Sequence, residues 1–421
     1  MRPLLVLIAL AGLALPASAG AASRTIAPLP SSWQKGADVT GFRWNDFDRR
    51  TFKPWMRQLR NNAHADYAMF TTRWFQYWRS DPLRRDDAQA TEISPAYGSD
   101  SVCAKAPAGD QTRCQTPSIE SETKAIEYAK SLGLRIAIKP LIDVGRDTSS
   151  AAPRESIKFS TPEQLRAWFD SYKYMLSQYA RLARDTEADT LVIGTGLSGM
   201  TNDADEQDEW RAIIAQIRSG ELMGDDKGGF DGKLTYAARW DSIYTDAATP
   251  IDYKFFWDAL DAIGVEGFWS LTRGKGSDDP TVSRLRVGWA QNFVKGGVPP
   301  AIALRALNQK YGKPVVITGL GYLSRGGTAA DPSKGDEAQR QAGGKINTEA
   351  QARAYRAAFD FWALVARREG WFRGIYWWNW SPTVTDFANG DYSPQGKPAE
   401  TELCLRQLGR FTRSCRPSKR P

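Results

Sequence analysis

Short runs of β-branched and aromatic residues alternate along this chain with longer stretches whose apolar positions recur at helical spacing. The pattern predicts strands near 37–43, 66–74, 134–140, 189–195, 233–238, 263–270, 314–318 and 373–379. Helical patterns lie between them, among them Ser118–Leu132, Pro162–Arg184, Asp252–Ala262 and Thr348–Glu369. The helix from Ser118 carries glutamates in its first turn, where the helix dipole favours them, and stops at Gly133. Eight such units in one run predict an α/β fold, a single (β/α)8 TIM barrel. An open doubly wound sheet is the alternative, because periodicity does not report closure. Three long connections, 78–117, 143–160 and 323–346, each follow a predicted strand's C-terminal end, the face on which barrels build their sites.

The N-terminus has a charged start, an apolar run from Leu4 to Leu15 and then Pro-Ala-Ser-Ala-Gly-Ala-Ala. That is the pattern of a signal peptide over residues 1–22, cleaved near Ala19 to Ala21. The run is too short to span a bilayer, and no later segment reads as a transmembrane helix. The expected product is secreted or periplasmic, with a barrel over 30–412 and a basic tail over 413–421. The 56 basic and 48 acidic residues are interspersed, for a net charge of +8, and no long basic run suggests nucleic acid. Four cysteines fall in two close pairs, Cys103 with Cys114 and Cys404 with Cys415, which in an exported chain favours disulfides. No C-x-x-C spacing exists and His64 is the sole histidine, so neither a metal nor a cofactor is expected. A monomer is expected.

Gly194-Thr-Gly-Leu-Ser-Gly199 matches G-x-G-x-x-G after a strand, but an acidic stretch follows where a dinucleotide fingerprint needs an apolar helix. His64 precedes a strand and has no G-x-S-x-G partner, which reads as structural. The aromatics say more. Trp74, Tyr236, Trp269, Tyr322, Trp377, Trp378 and Trp380, with Gln76, cluster at or just past predicted strand ends. Sugars present apolar C–H faces edged by hydroxyls, so rings beside amides suit a glycan cleft. Period-2 alternation places only half of each strand's set inside, and the others fill the core.

At these residues the chain resembles glycoside hydrolase family 113, the β-mannanase-like barrels of the clan A glycosidases. The marks are Thr72-Arg-Trp-Phe-Gln76, Ala137-Ile-Lys-Pro-Leu-Ile-Asp143, Ile193-Gly-Thr-Gly-Leu197 and Leu234-Thr-Tyr-Ala-Ala238. Asp261–Leu271, Gly312–Tyr322, Trp377-Trp-Asn-Trp380 and Asp391–Glu400 follow in order. The resemblance implies an acid/base glutamate at position 196 and a nucleophile glutamate at 319. Both are glycine. It also implies histidine where Leu141 stands, asparagine at Arg239 and tyrosine at Phe268. Retaining hydrolysis needs both carboxylates about 5 Å apart, and glycine supplies neither.

Glu266 is expected to point into the barrel as a buried partner of Lys139 or Arg239. Asp143, Asp203, Asp205 and Asp386 lie on strand-end loops, within reach of a cleft. The leading expectation is a secreted barrel that binds a β-linked polysaccharide or oligosaccharide, mannan-type by resemblance, and is catalytically impaired. Trp74, Gln76, Tyr236, Trp269, Tyr322 and Trp378 are the candidate sugar contacts. The alternatives are an active hydrolase using other carboxylates and a structural envelope or polysaccharide-assembly protein.

Overall fold

The computed structural model describes residues 26–76, 90–98, 103, 114–144, 153–201, 203–244, 256–273, 279–291, 293, 298–335, 344–384, 386–410, 412 and 415–419. The leader-like segment, most of the 78–117 connection and parts of the other two lie outside them. Nine strands are described: β1 Gln34–Gly41, β2 Tyr67–Gln76, β3 Ile93–Ser94, β4 Arg135–Val144, β5 Thr190–Thr195, β6 Lys233–Arg239, β7 Ala262–Glu266, β8 Val315–Leu320 and β9 Phe372–Trp380. Eight run parallel, and β1 pairs with both β2 and β9, so the sheet closes. β3 is a two-residue antiparallel addition to β2. The barrel is closed, not doubly wound.

Alternation along the strands separates two packing layers. Tyr67, Met69, Ala137, Val192, Ala237, Val316 and Tyr376 form one apolar cluster, which fills the lower lumen. Their chain neighbours, such as Ala68, Phe70, Ile136, Ile138, Ile193, Ile317 and Trp377, belong to the larger cluster between strands and helices. Tryptophan builds much of that outer layer. Trp362 stacks on Phe372 at 4.4 Å, Trp168 on Tyr172 at 4.9 Å and Trp377 on Tyr355 at 3.9 Å.

The helices start and stop on local chemistry. Ser118 and Thr161 cap Ile119–Ser131 and Pro162–Asp185 by accepting from Ser121 N and Gln164 N. Asn347 caps Thr348–Glu369, which ends on the left-handed Gly370. The helix expected over Asp252–Ala262 does not form as such. Residues 251–255 lie outside the described set, only Trp257–Ala259 makes a helical turn, and Ala262 already belongs to β7. Its apolar positions come from a buried turn, Phe256 and Trp257, packed against Tyr236. Both expected disulfides are present, Cys103–Cys114 and Cys404–Cys415.

Trp377 stands for the outer layer as a whole. Trp377→Ala opens a cavity under Thr348–Glu369 and is expected to cost about 3–5 kcal/mol, read as a lower melting temperature.

Candidate functional site

Following each lumen-facing row upward by twos leads to one place. Met69 is succeeded by Thr71 and Arg73, Ala137 by Lys139 and Leu141, Ala237 by Arg239, and Tyr376 by Trp378. Glu266 on β7 pairs in register with Gly319 on β8, across an irregularity that brings Gly319 onto the lumen face. Leu141, Arg154, Glu155, Gly196, Arg239, Trp240, Glu266, Phe268, Trp378 and Tyr392, with Ser333 and Gly335, line a cavity of about 290 Å3 at the strands' C-terminal end.

Beneath it lies a charged floor. Lys139 and Asp38 are fully buried and paired at 2.8 Å. Lys139 Nζ also donates to the Thr318 carbonyl at 2.8 Å, and Thr71 donates to Asp38 at 2.6 Å. The ammonium sits 5.3 Å from the Trp378 ring centroid, a cation–π contact that orients this wall of the cavity. Burial pushes the Asp38 carboxyl up to about 6, against the opposing pull of Lys139.

The two glycines converge on one carboxylate. A Cβ on Gly319 would lie 3.4 Å from Glu266 Oε1 and 3.5 Å from Lys139 Nζ. A Cβ on Gly196 would lie 3.8 Å from Glu266 Oε2 and 3.3 Å from Arg154 Cδ. Gly196 has φ +64°, so its backbone has settled where side chains are disfavoured, whereas Gly319 has not. The expected pairing of Glu266 with Lys139 or Arg239 is not found. Lys139 takes Asp38, and Arg239 takes Glu155 and, at 2.7 Å, Asp241. Glu266 has no hydrogen-bond or ion-pair partner among the described residues, because Asp38, Glu155 and Asp241 hold the cations it was expected to meet.

The loop carboxylates are occupied or remote. Asp143 accepts from Arg73 at 3.1 Å and Arg154 at 2.7 Å. Asp203 and Glu206 form the capping box of Ala204–Ser219, with Asp205 exposed in its first turn. Asp386 accepts from Ala388 N in its own turn.

Of the six candidate sugar contacts, Trp378 lines the cavity, half-buried, 6.0 Å from Phe42 between ring centroids. The other five point outward or pack behind the strand ends. Trp74 is buried beside Tyr97, Tyr174 and Tyr179, and Gln76 accepts from Trp168 Nε1 at 2.7 Å. Tyr236 packs on Trp210 and accepts from Leu197 N; Trp269 donates to Tyr244; Tyr322 packs on Tyr355. Trp377 and Trp380 belong to the outer layer too, and Trp380 donates to the Trp55 carbonyl. The cavity residues not anticipated are Arg154, Glu155, Trp240, Ser333, Gly335 and Tyr392. They sit outside or just past strands, where period-2 counting has no hold.

The profile of glycoside hydrolase family 113 matches residues 108–397, more than half of the sequence. The chain belongs to glycoside hydrolase family 113. Solved structures share its fold, two of them as follows. A GH113 β-1,4-mannanase aligns with a TM-score of 0.65 at 23% identity, covering 90% of this chain and 99% of that one. The GH113 β-mannanase AaManA from Alicyclobacillus acidocaldarius, in complex with ManMIm, aligns at 0.62 and 21%, covering 89% and 97%. No curated protein matches the chain in sequence. Membership implies a glycan partner, and the half-buried ring of Trp378 beside Phe268 and Tyr392 offers apolar faces to one. No described helix is long and apolar enough to cross a membrane, and no described group of side chains could hold a metal ion.

Two outcomes follow from this geometry. Gly319→Ala meets only ordinary contacts and is expected to change stability by less than about 0.5 kcal/mol, whereas Gly196→Ala, at positive φ, costs about 1 kcal/mol or more in chemical denaturation. Because the Asp38 carboxyl is raised in the folded state, its contribution to stability is largest below the ordinary carboxylate range and falls as pH rises to about 6. Subtracting the pH–stability curve of Asp38→Asn from that of the native protein should show this decline between about pH 4 and pH 6, and a flat difference there would contradict it.

Proposed function

We propose that this family 113 barrel is an exported glycan-binding protein that has lost the hydrolytic reaction of its relatives. The observation that carries the reading is that Gly196 lines a cavity walled by Trp378 while Gly319 lies against Glu266 of the same cavity; we take these two glycines, from the family resemblance, to occupy the acid/base and nucleophile positions. Removing an acid/base forfeits a factor of ~10²–10⁴, and removing the nucleophile abolishes the covalent route. Asp143, Asp203 and Asp386 are held by other partners, which leaves the alternative of a hydrolase working through loop carboxylates without a free pair. The glycan is taken to be β-linked and mannan-type, from the names of the two mannanases that share the fold. Export is supported by the leader-like start and fits the two disulfides.

Calorimetric titration with mannooligosaccharides, with the products chromatographed from the same samples, tests the reading. Saturable binding without shorter products is expected. Trp378→Ala should weaken binding ~10-fold or more, equivalent to about 1.4 kcal/mol, with little change in melting temperature. Shorter products, or no binding to any β-linked oligosaccharide, would overturn it.

A further inference from the structure

We propose that Glu266 and Arg154 form a rebuilt donor site, which reacts with glycosyl donors whose leaving group departs as an anion. The inference rests on the glycan-cleft reading above and deepens it by naming a substrate class.

At the nucleophile position, the distance from a Cβ on Gly319 to Glu266 Oε1 is 3.4 Å. A glutamate's carboxylate oxygens lie roughly 3–4 Å from its own Cβ by standard bond lengths. Glu266 therefore brings an oxygen, from the neighbouring strand, as near to the Gly319 Cβ position as a glutamate's own carboxylate would stand. Unlike the other carboxylates near the cavity, it has no ion-pair partner among the described residues. Asp38 is held by Lys139, Asp143 by Arg73 and Arg154, and Glu155 by Arg239.

At the other glycine the replacement has the opposite charge. The Arg154 side chain passes over Gly196, its Cδ 3.3 Å and Cγ 3.6 Å from the Cβ position. A guanidinium stays protonated, so it cannot deliver the proton an acid/base would, but it can stabilise a departing anion. Arg154 shares Asp143 with Arg73, so two guanidiniums face one carboxylate and the trio keeps a net positive charge.

These two groups support one half of a retaining reaction. A Glu266 carboxylate oxygen bonds to the anomeric carbon while the bond from that carbon to the leaving oxygen breaks. The electron pair leaves with an aryl oxide or a phosphate held against Arg154. Water then cleaves the glycosyl ester, restoring the Glu266 carboxylate and releasing the sugar and a proton to solvent. A glycan linkage departs as an alkoxide unless it is protonated, and Arg154 has no proton to give. The same cleft therefore binds polysaccharide without cutting it.

The test is incubation with dinitrophenyl 2-deoxy-2-fluoro-β-mannoside, followed by intact mass and peptide mapping, beside a mannooligosaccharide titration of the same sample. One glycosyl adduct per chain is expected on the peptide holding Glu266. It should be absent in Glu266→Gln and ~10²-fold slower in Arg154→Gln. Glu266→Asp, which withdraws the carboxylate by one methylene, should slow labelling while keeping the native melting temperature. Oligosaccharide binding without an adduct, or an adduct that persists in Glu266→Gln, overturns the donor site and leaves the glycan cleft standing. Neither binding nor an adduct overturns both.

Discussion

The buried pair between Lys139 and Asp38 is the interaction on which the rest of the site depends. Two charges with no solvent contact face each other at 2.8 Å inside the barrel, and each has further partners: Thr318 O for the lysine, Thr71 for the aspartate. Those contacts tie β4 and β8 to β1 and β2, and the ammonium also holds the Trp378 ring on β9. Removing one partner from such a pair costs about 3–5 kcal/mol, because the other is left buried and uncompensated. The floor of the cavity must therefore stay polar and closely jointed, whatever chemistry is carried above it. Asp38 also feels the Glu266 charge, which helps to raise its carboxyl.

Above that floor, one carboxylate faces two glycines. Gly196 follows the end of β5 and Gly319 is the last residue but one of β8, and β7 between them sends Glu266 toward both. Its oxygens lie within 3.8 Å of both Cβ positions, so glutamates at 196 and 319 would compete with Glu266 for the same space and repel its charge. The left-handed backbone at Gly196 and the Arg154 side chain laid over it point the same way.

Much of this was legible in the sequence. The eight barrel strands lie within a few residues of their expected positions, because each is a compact β-branched run stopped by a turn. Closure was not legible from periodicity, since it is made by the pairing of β1 with β9, between residues over 300 apart in sequence. The site was half legible, for a reason that alternation explains. Trp377 and Trp378 differ only in parity, and one step decides between the outer layer and the cavity. Tyr236 and Ala237 show the same split, with the tyrosine outward and the small residue inside. A strand-end aromatic was thus a poor guide to the cavity wall in a chain that spends its tryptophans on the helix–strand interface. Glu266 was placed on the correct face, but its partners were not, because the pairings of Asp38 and Glu155 depend on strands and loops remote in sequence.

The measurement that bears most directly on the cleft is a crystal structure of the protein soaked with a mannooligosaccharide. An intact chain is expected, with one sugar ring against Trp378 and its neighbours passing over Gly196 and Gly319. A cleaved oligosaccharide in the cavity, or an oligosaccharide bound elsewhere with the cavity empty, would contradict it.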